Sequence, residues 1–99
     1  MEINHTSLPG VAVLMPRRFG DARGWFSETW NAARMADVGL DLDFLQDNHS
    51  FSAMPGTLRG LHYQIEHVQG KLVRVTAGEV LDIAVDIRRS SPTFGQWVG

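Results

Sequence analysis

Strict alternation runs from Val80 to Arg88, with Leu81, Ile83, Val85 and Ile87 on one face and Asp82, Asp86 and Arg88 on the other. Side chains at positions i and i+2 share a face of a strand, so this segment predicts a strand with one apolar and one polar face. From Phe44 the same two-residue period places Gln46, Asn48, Ser50 and Ser52 on one face and Asp47, His49 and Phe51 on the other. Met54-Pro55-Gly56 breaks that strand. Thr57–Gln64 supplies the next, and after the loop Ile65–Gly70 comes Lys71–Ala77, which turns at Gly78-Glu79 into the last. Four strands at short, regular intervals predict an antiparallel sandwich or barrel.

Upstream, Val11–Met15 is bracketed by Pro9-Gly10 and Pro16 and predicts a short strand. Phe19–Gly24 predicts a turn that feeds a second short strand, Trp25–Glu28. Thr29–Val38 predicts the one helix, with Thr29 or Asn31 as N-cap and Gly39 as its stop. Beyond Arg88, the segment Arg89–Gly95 predicts a turn, and Gln96–Gly99 starts a new strand, so the chain is expected to end in the middle of its fold.

Composition narrows the function classes. The 99 residues are 43% hydrophobic and 20% charged, which suits one small folded domain and excludes a disordered chain. Nine Lys and Arg against eleven Asp and Glu give a net charge of −2, which argues against a general nucleic-acid or anionic-membrane surface. The absence of cysteine excludes disulfides, thiolate zinc sites and cysteine nucleophiles, and suits a cytoplasmic setting. The longest apolar run, Val11–Met15, is too short to span a bilayer, and no export signal is expected.

Candidate chemistry concentrates in Thr57–Gln64 and Gln69–Val73, where basic groups sit inside a β pattern. Alternation puts Lys71 on the face of Val73, Val75 and Ala77. An inward lysine there needs an acidic or ligand partner, unless it sits at the strand mouth and reaches water. His62 shares a face with Leu58, Gly60 and Gln64, where a histidine serves either as a hydrogen-bonded core residue or as a base. Arg59 falls on the opposite face, and a bulge at Gly60 would be needed to bring it to the same pocket. Gln46 and Asn48 fit a ligand-reading face or a solvated one equally, and Arg23 and Glu28 read by themselves as charged turn residues. A metal site of the His-x-His type is excluded, because the position two after His62 is Gln64.

The segments FGDARG (Phe19–Gly24), QDNHS (Gln46–Ser50), LRGLHYQ (Leu58–Gln64), QGKLVRV (Gln69–Val75) and DIAVDIRRSSPTFGQW (Asp82–Trp97) together resemble the N-terminal half of the dTDP-4-dehydrorhamnose 3,5-epimerase family. The resemblance implies an incomplete, cupin-like antiparallel β-barrel of the jelly-roll kind with one short helix. Residues 1–99 would form a single truncated domain, with 1–28 a segment swapped between the subunits of a homodimer and 44–99 the barrel strands. It implies inversion of carbons 3 and 5 of dTDP-4-dehydro-6-deoxyglucose, on the route to dTDP-L-rhamnose, without metal or organic cofactor. By resemblance His62 is the base, and Lys71 stabilises the enolate oxygen. Arg59 holds the diphosphate, and Gln46, Asp47 and Asn48 bind the nucleotide sugar. Arg23 and Glu28 reach the thymidine end from the neighbouring subunit.

The family's proton-returning tyrosine and the aspartate paired with its histidine belong to the C-terminal half, outside these residues. Tyr63 follows His62 directly and on a strand faces away from it, so it does not replace that acid. Two competing expectations stand beside the epimerase: a non-catalytic nucleotide-sugar binding or dimerisation module, and a related cupin that alters one carbon or moves the ketone.

Overall fold

A computed structural model describes residues 1–99. The chain is mainly β with one short helix, arranged as three separate two-stranded antiparallel sheets. In the first, β1 (Glu2–His5) pairs with β2 (Ala12–Met15) in the register Glu2↔Met15. Ile3 faces Leu14 across this ladder and both are half-buried, while Val13 and Met15 point to the open side. The connection is closed from within, because the Thr6 hydroxyl donates to the Val11 carbonyl at 2.8 Å and accepts from Leu8 N–H at 3.2 Å. Leu8 is one of only two buried apolar residues in the chain.

The second sheet pairs β3 (Arg18–Asp21) with β4 (Gly24–Ser27) around the two-residue turn Ala22-Arg23. The sequence predicts a turn from Phe19 onward, whereas Phe19, Gly20 and Asp21 are themselves strand residues. Gly24 takes φ +136°, a conformation that side-chain-bearing residues rarely adopt, so the chain reverses in fewer residues than the pattern suggests. Arg17 and Arg18 lie over the rings of Phe19 and Trp25 at 4.8 and 4.3 Å from the ring centroids.

The helix α1 (Ala32–Asp37) is shorter than the pattern predicts. Asn31 caps it, its Oδ1 accepting from Arg34 N–H at 3.1 Å. At the other end Gly39 N–H donates to Ala36 at 2.9 Å and Leu40 N–H to Met35 at 2.8 Å. This is the Schellman arrangement, and it requires the positive φ of +86° that Gly39 supplies. Met35 is the fully buried residue of the helix, and Trp30 packs edge-on to Phe44 at 5.3 Å.

From Asp41 to Ile83 the backbone makes no hydrogen bond to the chain's own backbone. The strands predicted over 44–52, 57–64 and 71–77, and most of that over 80–88, therefore have no ladder within the chain. Only β5 (Ala84–Val85) pairs, with β6 (Trp97–Val98). The chain has 23 backbone–backbone hydrogen bonds, where a closed domain of this length has roughly 65. Its accessible surface is 9279 Å² against roughly 5,600 Å² for a compact monomer of this mass. The radius of gyration is 15.7 Å against about 13 Å. Leu8 and Met35 are the only buried apolar residues, and no closed barrel forms within the chain. No helix is long and apolar enough to cross a membrane.

One polar node stands against this openness. Asp86, predicted on the polar face of its strand, is the one buried charged residue, 5% exposed. Its carboxylate accepts from the Ser91 and Thr93 hydroxyls at 2.6 Å each, from Arg88 N–H and Nε at 3.0 Å and from Arg88 Nη2 at 3.1 Å. The turn after Arg88 folds back over the polar face, so alternation predicts the face correctly but not what covers it. Arg88 Nη2 also donates to the Pro9 carbonyl at 3.3 Å, which ties this turn to the β1–β2 loop.

Two predictions follow from these local devices. Arg88 first, then the Ser91 and Thr93 hydroxyls, hold the Asp86 carboxyl well below the usual carboxylate range. A depressed pKa stabilises the fold above the unfolded value of about 4 and loses that contribution as the pH falls below it. Asp86→Asn should therefore lower the melting temperature by several degrees at pH 7 and flatten its decline between pH 4 and pH 2. A variant with the parent's full acid dependence would refute the role given to this node. Gly39→Ala should cost about 1 kcal/mol through its left-handed φ alone, since no atom lies within 4 Å of the added carbon. Urea unfolding showing no loss would remove the capping argument.

Candidate functional site

The candidate residues fall in two regions, the β3–β4 hairpin with its exit, and the unpaired stretch from Gln46 to Lys71. In the hairpin, Asp21 Oδ1 accepts from Arg23 N–H at 2.8 Å and Asp21 Oδ2 pairs with Arg23 Nη2 at 2.6 Å. The pairing lowers the Asp21 pKa and raises that of Arg23. Both groups are exposed, so the ion pair shapes the turn more than it stabilises the fold. Glu28 sits at the entrance to α1, where Oε1 lies 3.4 Å from Arg34 Nε and Oε2 accepts from Asn31 Nδ2 at 3.3 Å. Arg23 and Glu28 are thus each engaged by close sequence neighbours and not by one another.

In the second region, Gln46 Nε2 donates to Asn48 Oδ1 at 3.1 Å, so the two amides share a face as their two-residue spacing predicts. Asp47 lies between them and is exposed. Arg59 does not point freely into solvent. Its Nε donates to Ser52 Oγ at 3.1 Å and its Nη2 to the Phe51 carbonyl at 3.0 Å, bridging two segments that no backbone ladder joins. Gly60 follows with φ +103°. The His62 ring folds back over it, its Nδ1 only 3.6 Å from where a Cβ on Gly60 would stand. Gly60 thus departs from regular strand geometry, but no ladder runs through it, so this is not the bulge expected there.

Lys71 is exposed and lies within ion-pair distance of no carboxylate. No three of the chain's His, Asp and Glu side chains gather as a metal-ligand group. A concavity of about 380 Å³ lies elsewhere, between the Leu8–Val11 loop and Val85–Arg88, with Gln69 also in its lining. His62, Arg59 and Lys71 therefore stand on open, unwalled backbone, because the strands that carry them are not paired into a sheet. Alternation does not reveal the contribution of Ser52 and the Phe51 carbonyl to Arg59. The only available signal is that Ser52 shares the face of Gln46 and Asn48.

Comparison with known proteins identifies the frame in which this open site belongs. The model of the dTDP-4-dehydrorhamnose 3,5-epimerase family matches residues 5–99. The chain is 56% identical over its whole length to the dTDP-4-dehydrorhamnose 3,5-epimerase of Pseudomonas aeruginosa, of which it covers 55%. It is 51% identical over 95% of its length to that of Methanothermobacter thermautotrophicus, covering 50%. Its path superposes with a TM-score of 0.95 and 42% identity on the crystal structure of the Bacillus anthracis dTDP-4-dehydrorhamnose 3,5-epimerase with TDP and PPi bound, over 99% of this chain and 57% of that one. The chain thus spans about half the length of the relatives it matches. A match along nearly the whole chain, in sequence and in path, places it in the dTDP-4-dehydrorhamnose 3,5-epimerase family.

Proposed function

We propose that this chain forms the base-bearing, nucleotide-binding part of a dTDP-sugar 3,5-epimerase of the cupin type, acting in the cytoplasm on dTDP-4-dehydro-6-deoxyglucose. The observation that carries this reading is the superposition of nearly the whole chain on an epimerase crystallised with TDP and PPi. Carbons 3 and 5 of the substrate both flank the carbon 4 ketone, so the hydrogen on either is acidified by the carbonyl. In this reading the His62 imidazole takes that proton, the C–H electron pair becomes the carbon–carbon double bond of an enolate, and the charge settles on the ketone oxygen. The Lys71 ammonium stands at that oxygen, where a fixed positive charge stabilises the enolate more than the ketone. Return of a proton to the opposite face completes the inversion, and a group outside these residues delivers it.

The remaining polar residues divide the nucleotide among them. Arg59 presents its guanidinium fork to the diphosphate. Gln46, Asp47 and Asn48 line the path of the nucleotide sugar, and Arg23 and Glu28 reach the thymidine end from a second subunit. The β1–β4 segment, residues 1–28, fits an exchange between the subunits of a homodimer. In support, its second hairpin carries exposed Trp25 and Phe26, 62% and 71% accessible, whose burial would be favourable. The exposed Leu58, Leu61 and Val73 on the unpaired stretch likewise call for neighbouring strands.

The test is proton exchange in heavy water by the assembled protein containing this chain. Deuterium should enter carbons 3 and 5 of the substrate. His62→Asn should abolish its entry while leaving dTDP binding within a few-fold of the parent. Exchange that survives in His62→Asn would disqualify the histidine as base. Lys71→Gln should lower kcat by about 10²- to 10³-fold with little change in KM. A loss confined to KM would mean that Lys71 binds ground-state substrate and does not stabilise the enolate.

A further inference from the structure

The guanidinium of Arg59 carries five N–H groups in one plane, and its value as an anion ligand depends on which edge of that plane is free. The Nε–H goes to Ser52 Oγ at 3.1 Å and one Nη2–H to the Phe51 carbonyl at 3.0 Å. These two bonds occupy the side edge of the fork. What remains is the far edge, formed by Nη1 and the second Nη2 hydrogen, and no carboxylate lies within ion-pair distance of it. That edge matches two oxygens of a diphosphate in a bidentate contact.

The anchor comes from an unexpected place. Phe51 and Ser52 precede the Met54-Pro55-Gly56 break, Arg59 follows it, and no backbone ladder joins the two segments. The Thr57 hydroxyl donates to the Met54 carbonyl at 2.7 Å, which closes the intervening turn and fixes the distance between them. An unanchored arginine at an exposed position samples many rotamers and loses that freedom when a ligand binds. Here the loss is taken before the ligand arrives.

We propose that Ser52 is a positioning residue for diphosphate recognition, holding the side edge of the Arg59 guanidinium so that its far edge meets the diphosphate of a nucleotide sugar. The role rests on the reading of Arg59 as the diphosphate ligand, and the experiment separates the two. Affinities for dTDP and for thymidine are measured by calorimetry on the assembled protein carrying this chain, in the parent, Ser52→Ala, Ser52→Thr, Arg59→Ala and the Ser52→Ala/Arg59→Ala double variant.

Ser52→Ala should weaken dTDP about tenfold, the scale of one hydrogen bond to a charged group. It should leave thymidine affinity unchanged, which a general structural defect would not. Ser52→Thr keeps the acceptor oxygen and should restore dTDP affinity to within about threefold of the parent. In the Arg59→Ala background, Ser52→Ala should add nothing. Parental dTDP affinity in Ser52→Ala, or an undiminished loss in the Arg59→Ala background, would overturn the positioning role while leaving Arg59 as ligand. Parental dTDP affinity in Arg59→Ala would overturn the diphosphate reading itself, and the role of Ser52 with it.

Discussion

A backbone amide or carbonyl must be paired or left in water, and from Asp41 to Ile83 this chain offers its backbone no partner of its own. The openness of the candidate site follows from that constraint. His62, Arg59 and Lys71 lie on backbone whose path is that of a known epimerase, yet no sheet holds the path and no wall faces the side chains. A catalytic pocket needs water excluded and charges fixed in a low-dielectric setting. Pairing this stretch with further strands would meet both needs at once, burying Leu58, Leu61 and Val73 and walling in the basic residues. Within the chain alone, the stretch that carries the candidate residues has neither ladder nor cover.

The parts that hold their shape within the chain do so by short-range chemistry. The two N-terminal hairpins close over tight turns, the helix is capped at both ends, and the Asp86 carboxylate gathers Arg88, Ser91 and Thr93 into one turn. Through Arg88 that turn reaches the Pro9 carbonyl, the one side-chain hydrogen bond that spans most of the sequence. These elements flank the unpaired stretch at both ends. They position its ends without specifying its middle, and the Arg59 anchor on Phe51 and Ser52 is the main internal restraint found there.

Much of this was legible in the residues, and the failures have identifiable causes. Asn31 and Gly39 announced the helix, and Pro9-Gly10 with Pro16 bracketed β2, because caps and breakers act locally. The shared side of Gln46 and Asn48 followed from the two-residue period, and their hydrogen bond to one another did not. β1 was not legible, since Glu2–His5 has no alternating apolar face and becomes a strand only by pairing with Ala12–Met15. The burial of Asp86 was not legible, because alternation reports a face and not the turn that covers it. The roles proposed for His62 and Lys71 rest on long motifs matched in order, since periodicity alone left each of them with an ordinary structural explanation.

Amide hydrogen exchange, resolved by residue, tests the central claim most directly by comparing the 99-residue chain as a monomer with the assembled protein that contains it. The account predicts that amides in residues 44–64 and 71–83 exchange at nearly unprotected rates in the monomer and slow by orders of magnitude in the assembly. Slow exchange across those residues in the monomeric chain would contradict it, because the segment would then be pairing with itself.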